Sequence, residues 1–249
     1  MKQYEAVIEV MEKNGGFATL SYLYENVLTI KECEWKTKTP FASIRRIVQD
    51  KRFFFKIKPG LWALNSYKEK IKEIFPDLLP DTDENKIKKS EFNHYYYQGL
   101  LVELGNIQNF ETYIPSQDRN KSFLSKTLSD IVKLNRIYDF SYPEIVNIAK
   151  TIDVIWFNNK KLPLPKKVFE VEHTTNIEHS LLKFIELEDF YIDFYIVSYL
   201  ERKMEYNKIV NKDIFKNLKN RVKFLDYNSV SEWHDKEYEL YILKNRINI

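Results

Sequence analysis

The chain has 249 residues, 44% of them apolar, enough for one large core or two smaller ones, and a formal net charge of only +3 that does not by itself point to a polyanionic partner. Cys33 is the single cysteine, which excludes an intrachain disulfide and a thiolate metal cluster, so any metal must be held by oxygen or imidazole. No apolar run approaches the roughly 18 residues that span a bilayer, and Met1 opens onto the mixed segment KQYEAVIEVMEKN; the expectation is a soluble, cytoplasmic protein.

In chain order, Tyr4, Val7, Ile8 and Met11 lie at helical spacing and stop at Asn14-Gly15-Gly16, a helix-ending signal. A second periodic stretch covers Leu20 to Leu28. Thr39-Pro40 then offers an N-cap and a first-turn proline for a third helix. In that helix Phe41, Ile44, Ile47 and Val48 form the inward stripe, leaving Ser43, Arg45, Arg46 and Gln49 outward. The stretch from Arg52 to Lys58 and the segment Leu61 to Leu64 read as two short strands turning at Pro59-Gly60.

Charge is concentrated on this same region. Lys36, Lys38, Arg45, Arg46, Lys51, Arg52, Lys56 and Lys58 face the single acid Asp50, leaving the rest of the chain net acidic. Three helices and a basic hairpin describe a winged helix-turn-helix. The segment TPFASIRRIVQDKRFFFKIKPGLWAL resembles the winged modules joined to restriction endonucleases, the HARE-HTH group. That resemblance implies binding to double-stranded DNA. Arg45, Arg46, Ser43 and Gln49 would then read bases and Lys36, Lys38, Thr39, Lys56 and Lys58 would hold the backbone.

Residues 1–75 are thus expected as the DNA-binding domain and the polar stretch DLLPDTDENKIKKS as a linker over 76–90, with a second domain over 91–249. The expected elements there are a helix near 92–104, a strand at 111–115, helices around 121–132 and 143–150, and strands at 152–157 and 168–173. A helix at 177–188, a strand at 190–197, one helix across 205–220, a strand at 222–225 and a final helix follow. Apolar strands mixed with helices predict an α/β (α+β) fold whose sheet is covered on both faces.

In Val168-Phe-Glu-Val-Glu-His the strand period of two sets Glu170 and Glu172 side by side on one face and His173 on the other. Neighbouring carboxylates repel unless a proton or cation intervenes. Asp153 sits in the apolar run TIDVIWF, and the turn-rich loop from Asn158 to Lys166 makes the two strands a hairpin. Symmetric pairing brings Asp153 opposite Glu170. An all-oxygen set of this kind suits Mg2+ or Mn2+.

This order of an acid on one strand and acid-x-residue on the next resembles the PD-(D/E)XK nuclease superfamily, with Glu172 where a lysine is usual, as in the Glu-x-Glu variant of BamHI-type restriction enzymes. The phrase FEVEHTT looks like the core strand of such proteins. The resemblance implies sequence-specific hydrolysis of double-stranded DNA. It makes Asp153 and Glu170 metal ligands, Glu172 a ligand or the base, and Glu103, on the preceding helix, an auxiliary ligand. Cutting both strands implies a homodimer during cleavage. Alternatives are a DNA-binding regulator with an inactive nuclease-like domain and a repair nuclease or nickase. The tract from His94 to Tyr97 and His173 read as packing residues, and Lys183 as part of a solvated helix face, though it is a candidate for the missing lysine.

Overall fold

The computed structural model describes residues 1–174 and 176–247. The chain divides into two compact units, one made of residues 1–89 together with the C-terminal stretch from Ser231, the other spanning Ser90–Val230. Among the described residues no helix is long and apolar enough to cross a membrane.

In the first unit, helix α1 (Gln3–Lys13) buries Ala6, Val7, Val10 and Met11 and starts where Glu5 accepts the Lys2 backbone N–H at 2.8 Å. Strand β1 (Phe17–Thr19) follows, and the Thr19 side chain caps α2 (Leu20–Asn26) by accepting from Tyr22 N–H. Helix α3 (Pro40–Ile47) begins at the expected proline and buries Phe41 and Ile44. Strands β2 (Phe54–Lys58) and β3 (Leu61–Leu64) form an antiparallel hairpin through Gly60, whose φ of 74° is left-handed. β1 joins β3 as the third strand, with Phe17 opposite Ala63. That strand escapes periodicity analysis because three fully buried residues show no alternation. A short helix α4 (Lys68–Ile74) completes the stretch.

The expected linker over 76–90 is partly helical. Helix α5 (Asp83–Ile107) runs 25 residues, beginning inside the polar stretch. The Thr82 hydroxyl accepts Asn85 N–H, and ion pairs Lys86–Asp83 and Lys88–Glu84 support the first turns. A polar helix face and a polar linker have the same composition, so the sequence does not separate them.

The second unit is a mixed sheet. Its strands are β4 (Glu111–Tyr113), β7 (Val154–Phe157), β8 (Pro165–Glu172), β9 (Asp193–Ser198) and β10 (Val222–Asp226), in the order β10-β9-β8-β7-β4. β4, β7 and β8 pair antiparallel, while β8, β9 and β10 run parallel. One face carries Ile155, Phe157, Val168, Phe194 and Ile196, packed with α6 (Pro143–Ala149), α7 (Ile177–Ile185) and α8 (Lys203–Val210). The other faces α5: Trp156 Nε1 donates to the Leu101 carbonyl at 3.0 Å. A Cβ at Gly105 would lie 2.5 Å from Thr112 and 2.7 Å from Trp156, so glycine is what lets α5 approach the sheet. The chain is therefore an α/β protein with a sheet covered on both faces.

One expected helix is replaced and another is shortened. Over 121–132 the chain instead forms a two-residue hairpin, β5 (Ser122–Phe123) with β6 (Lys126–Thr127), turned by Leu124 at φ 56°. Thr127 and Asp130 then close a capping box on a 3-10 turn, local bonds that compete with a helix. The helix expected over 205–220 ends at Val210, and a 3-10 turn at Asp213–Phe215 follows. The last helix, α9 (Tyr227–Ile247), belongs from Ser231 onward to the first unit, where Ile242 packs on its core, not to the second domain as expected.

Candidate functional site

The β7–β8 register pairs Val154 with Phe169, which carries Asp153 and Glu170 to opposing positions at the end of the hairpin. Both acids are largely withdrawn from water. The Glu170 side chain is 3% exposed and that of Asp153 14%. Burial pushes both carboxyl groups up from their ordinary values, Glu170 strongly, and the charge of Asp153 raises Glu170 further. His94 and the Val171 N–H, which donates to Asp153 Oδ2 at 2.7 Å, act the other way on Asp153. Such a pair favours a cation at its open end.

Glu170 already has one cation. Lys183 on α7 reaches both of its oxygens, at 2.8 and 3.1 Å, and also donates to the Thr151 carbonyl at 3.0 Å. Its side chain is only 17% exposed. Lys183 therefore does not belong to a solvated helix face. A residue 13 positions after Glu170 shares no strand spacing with it, and only the fold of α7 over β8 unites them. Glu172 is buried beside Glu170, and the Ser180 hydroxyl touches both, lying 3.2 Å from Glu170.

Asp153, Glu170 and Glu172 lie close enough to act on one another electrostatically, whereas Glu103 is set further along α5. Glu103 lies nine residues beyond His94 on α5, about 13 Å further along the helix axis and half a turn around it. At Asp153 the α5 residues are instead His94 and Gln98. His94 Nε2 is 3.7 Å from Asp153 Oδ1, while Gln98 Nε2 donates to the Asp153 carbonyl at 2.8 Å and to Asp118 Oδ2 at 3.1 Å. Their spacing of four residues on a helix was a legible signal, but three adjoining tyrosines gave the tract an aromatic packing character. His173 points away: its Nε2 lies 2.8 Å from the Tyr199 hydroxyl and its ring packs with Tyr227. Glu178 pairs with Lys212 at 2.7 Å.

In the first unit, Lys36, Lys38, Thr39, Arg46, Gln49 and Lys56 are exposed and Ser43 is half-buried. Two of the expected DNA contacts have acidic partners within the protein. Arg45 donates to the Tyr24 hydroxyl at 3.0 Å and to Glu239 of α9 at 2.7 Å. Lys58 is buried, its ammonium 2.8 Å from Asp77, and burial pulls it below its ordinary value. Lys36 and Arg52 pair at the surface with Glu34 and Asp50. Among the described residues Lys38, Arg46, Lys51 and Lys56 remain as cations without an ion pair.

The family described as Type II restriction enzyme NmeDI C-terminal domain matches residues 75–245. A curated relative, Type II restriction enzyme NmeDI of Neisseria meningitidis serogroup C, is 30% identical over 117 residues, covering 45% of this chain and 32% of the relative. The aligned part thus spans about a third of that relative's length. No solved structure matches the chain.

Proposed function

The chain belongs to the Type II restriction enzyme NmeDI C-terminal domain family, and from that premise we propose that it is a metal-dependent endonuclease that cuts double-stranded DNA at a specific sequence. The observation that carries the reading is the buried pair Asp153 and Glu170, opposed at the end of a β-hairpin with the Lys183 ammonium on Glu170. An acid, a second acid and a lysine are the parts of the PD-(D/E)XK arrangement. Here the lysine comes from the following helix, not from position 172.

Asp153 and Glu170 would hold a divalent cation of the Mg2+ or Mn2+ class, which supplies an activated water and charge neutralisation at the scissile phosphate. The donor chemistry fits, since both groups are buried carboxylates short of positive charge. Lys183 opposes the rise that burial and Asp153 impose on Glu170 and adds a positive charge where the negatively charged transition state at phosphorus needs one. Glu172 acts through Ser180, which spans the two glutamates and fixes the Glu170 carboxylate.

The N-terminal unit is read as a winged helix whose α3 enters the major groove. Arg46, Gln49 and Ser43 face bases, with Lys36, Lys38, Thr39 and Lys56 on phosphates. Arg45 and Lys58 hold the unit together instead. Two copies acting together would cut both strands. The test is a supercoiled plasmid, with and without base methylation, incubated with Mg2+ or Mn2+ and the unaltered protein or Glu170→Gln. Cleavage by the former alone is expected. An intact plasmid under every metal and methylation state refutes the reading.

A further inference from the structure

Asp153 also belongs to a second constellation, one that does not include Lys183. His94, Asp118 and Asp153 each offer a ligand atom, all within 4.8 Å of one another. His94 Nδ1 lies 3.0 Å from the Val171 carbonyl, which can only accept, so Nδ1 carries a proton and, in the neutral imidazole that a metal takes, Nε2 offers its lone pair toward Asp153. That second-sphere bond is the usual means by which a metal-binding imidazole is oriented. A lone pair facing a carboxylate oxygen at 3.7 Å is too far for a hydrogen bond, whereas two ligand bonds of about 2.1 Å span that gap at an angle of about 120°.

An independent observation points the same way. Gln98 is 0% exposed, and its Nε2 is spent on Asp118 and the Asp153 carbonyl. Both of those atoms are acceptors, which fixes the amide orientation. The Gln98 Oε1 left over is buried without a hydrogen-bond partner. A buried amide oxygen in that state costs about 1–3 kcal/mol, and a cation or its bound water in the cluster would satisfy it.

We propose that His94, Asp118 and Asp153, with the Gln98 carboxamide oxygen beside them, form a second cation site that takes a first-row transition-metal dication in preference to Mg2+. Two carboxylates and a neutral imidazole match a dication in charge, and the nitrogen ligand favours zinc, cobalt or iron most, with manganese the weakest binder of the first-row series, over the oxygen-seeking magnesium. The His94 side chain is 25% exposed, leaving an entry from solvent. Asp153 belongs to both this site and the proposed catalytic pair, so the site's role in cutting rests on the nuclease reading, but its occupation does not.

Mn2+ is titrated into the full chain without DNA and followed by electron paramagnetic resonance, with pulsed measurement of nitrogen coupling. The expected result is bound Mn2+ with an imidazole nitrogen signal that persists in Glu170→Gln. His94→Gln should lose the signal and weaken binding about tenfold or more, and Asp118→Asn, which leaves the imidazole in place, should weaken it comparably. Equimolar Mg2+ should leave the nitrogen-coupled ion in place. Bound Mn2+ lacking nitrogen coupling, a signal that survives His94→Gln, or no Mn2+ binding would each overturn the site. Nitrogen-coupled binding together with an uncut plasmid would sustain the site and sink the nuclease reading alone.

Discussion

Replacing Lys183 by methionine keeps most of the side chain's volume and removes the ammonium 2.8 Å from Glu170. The pair is buried, so an abandoned Glu170 charge would cost about 3–5 kcal/mol. Protonation of Glu170 limits that cost. Bringing a carboxyl group of ordinary value 4.5 to its neutral form costs about 1.4 kcal/mol per pH unit above that value, or about 5 kcal/mol at pH 8 and under about 1 kcal/mol at pH 5. The folded-state value of Glu170 is raised, so the penalty of its charge is present above that value and disappears as the pH falls toward 4.5. Losing Lys183 raises it further and enlarges the penalty at high pH only. The lost bond to the Thr151 carbonyl adds about 1 kcal/mol at any pH. Urea denaturation of both proteins in chelator is therefore expected to show a deficit of about 4–6 kcal/mol at pH 8, shrinking to about 1–2 kcal/mol at pH 5. An equal deficit at the two pH values would refute the assignment of Lys183 as the counter-charge of Glu170.

Asp235, pushed up to about 6 by burial, carries a cost that is present above pH 6 and gone below its ordinary value of 3.8. Asp235→Asn should therefore stabilise the protein by about 1–3 kcal/mol at pH 8, with the gain fading by pH 4 in thermal melts. Arg46→Ala should weaken DNA binding in fluorescence anisotropy without changing stability. Arg45→Ala should instead couple to Glu239→Ala by about 1 kcal/mol in a double-mutant cycle of stability, and a coupling of zero would free Arg45 for base contacts. Lys56→Ala should lower affinity for all sequences and reduce the salt slope by about one, whereas Lys58→Met, which strands Asp77, should cost about 3 kcal/mol of stability; the opposite pattern in the two variants would invert their roles.

Periodicity and turn chemistry alone determine much of this chain. The helices starting at Gln3 and Pro40, the hairpin at Pro59-Gly60 and the hairpin strands that bring Asp153 and Glu170 together are legible because each rests on a local signal: a cap, a first-turn proline, a two-residue period. The opposition of Asp153 and Glu170 follows from hairpin symmetry, itself a local property. Everything that depends on which elements lie across from one another required the tertiary structure. Lys183 reaches Glu170 because α7 packs over β8, and His94 and Asp118 meet Asp153 because Gly105 lets α5 lie close against the sheet. Arg45 and Lys58 have the charge and spacing of DNA-binding residues, and their acidic partners Glu239 and Asp77 are set by packing that the sequence does not reveal. Charge is written in the sequence, but its partner is chosen by packing.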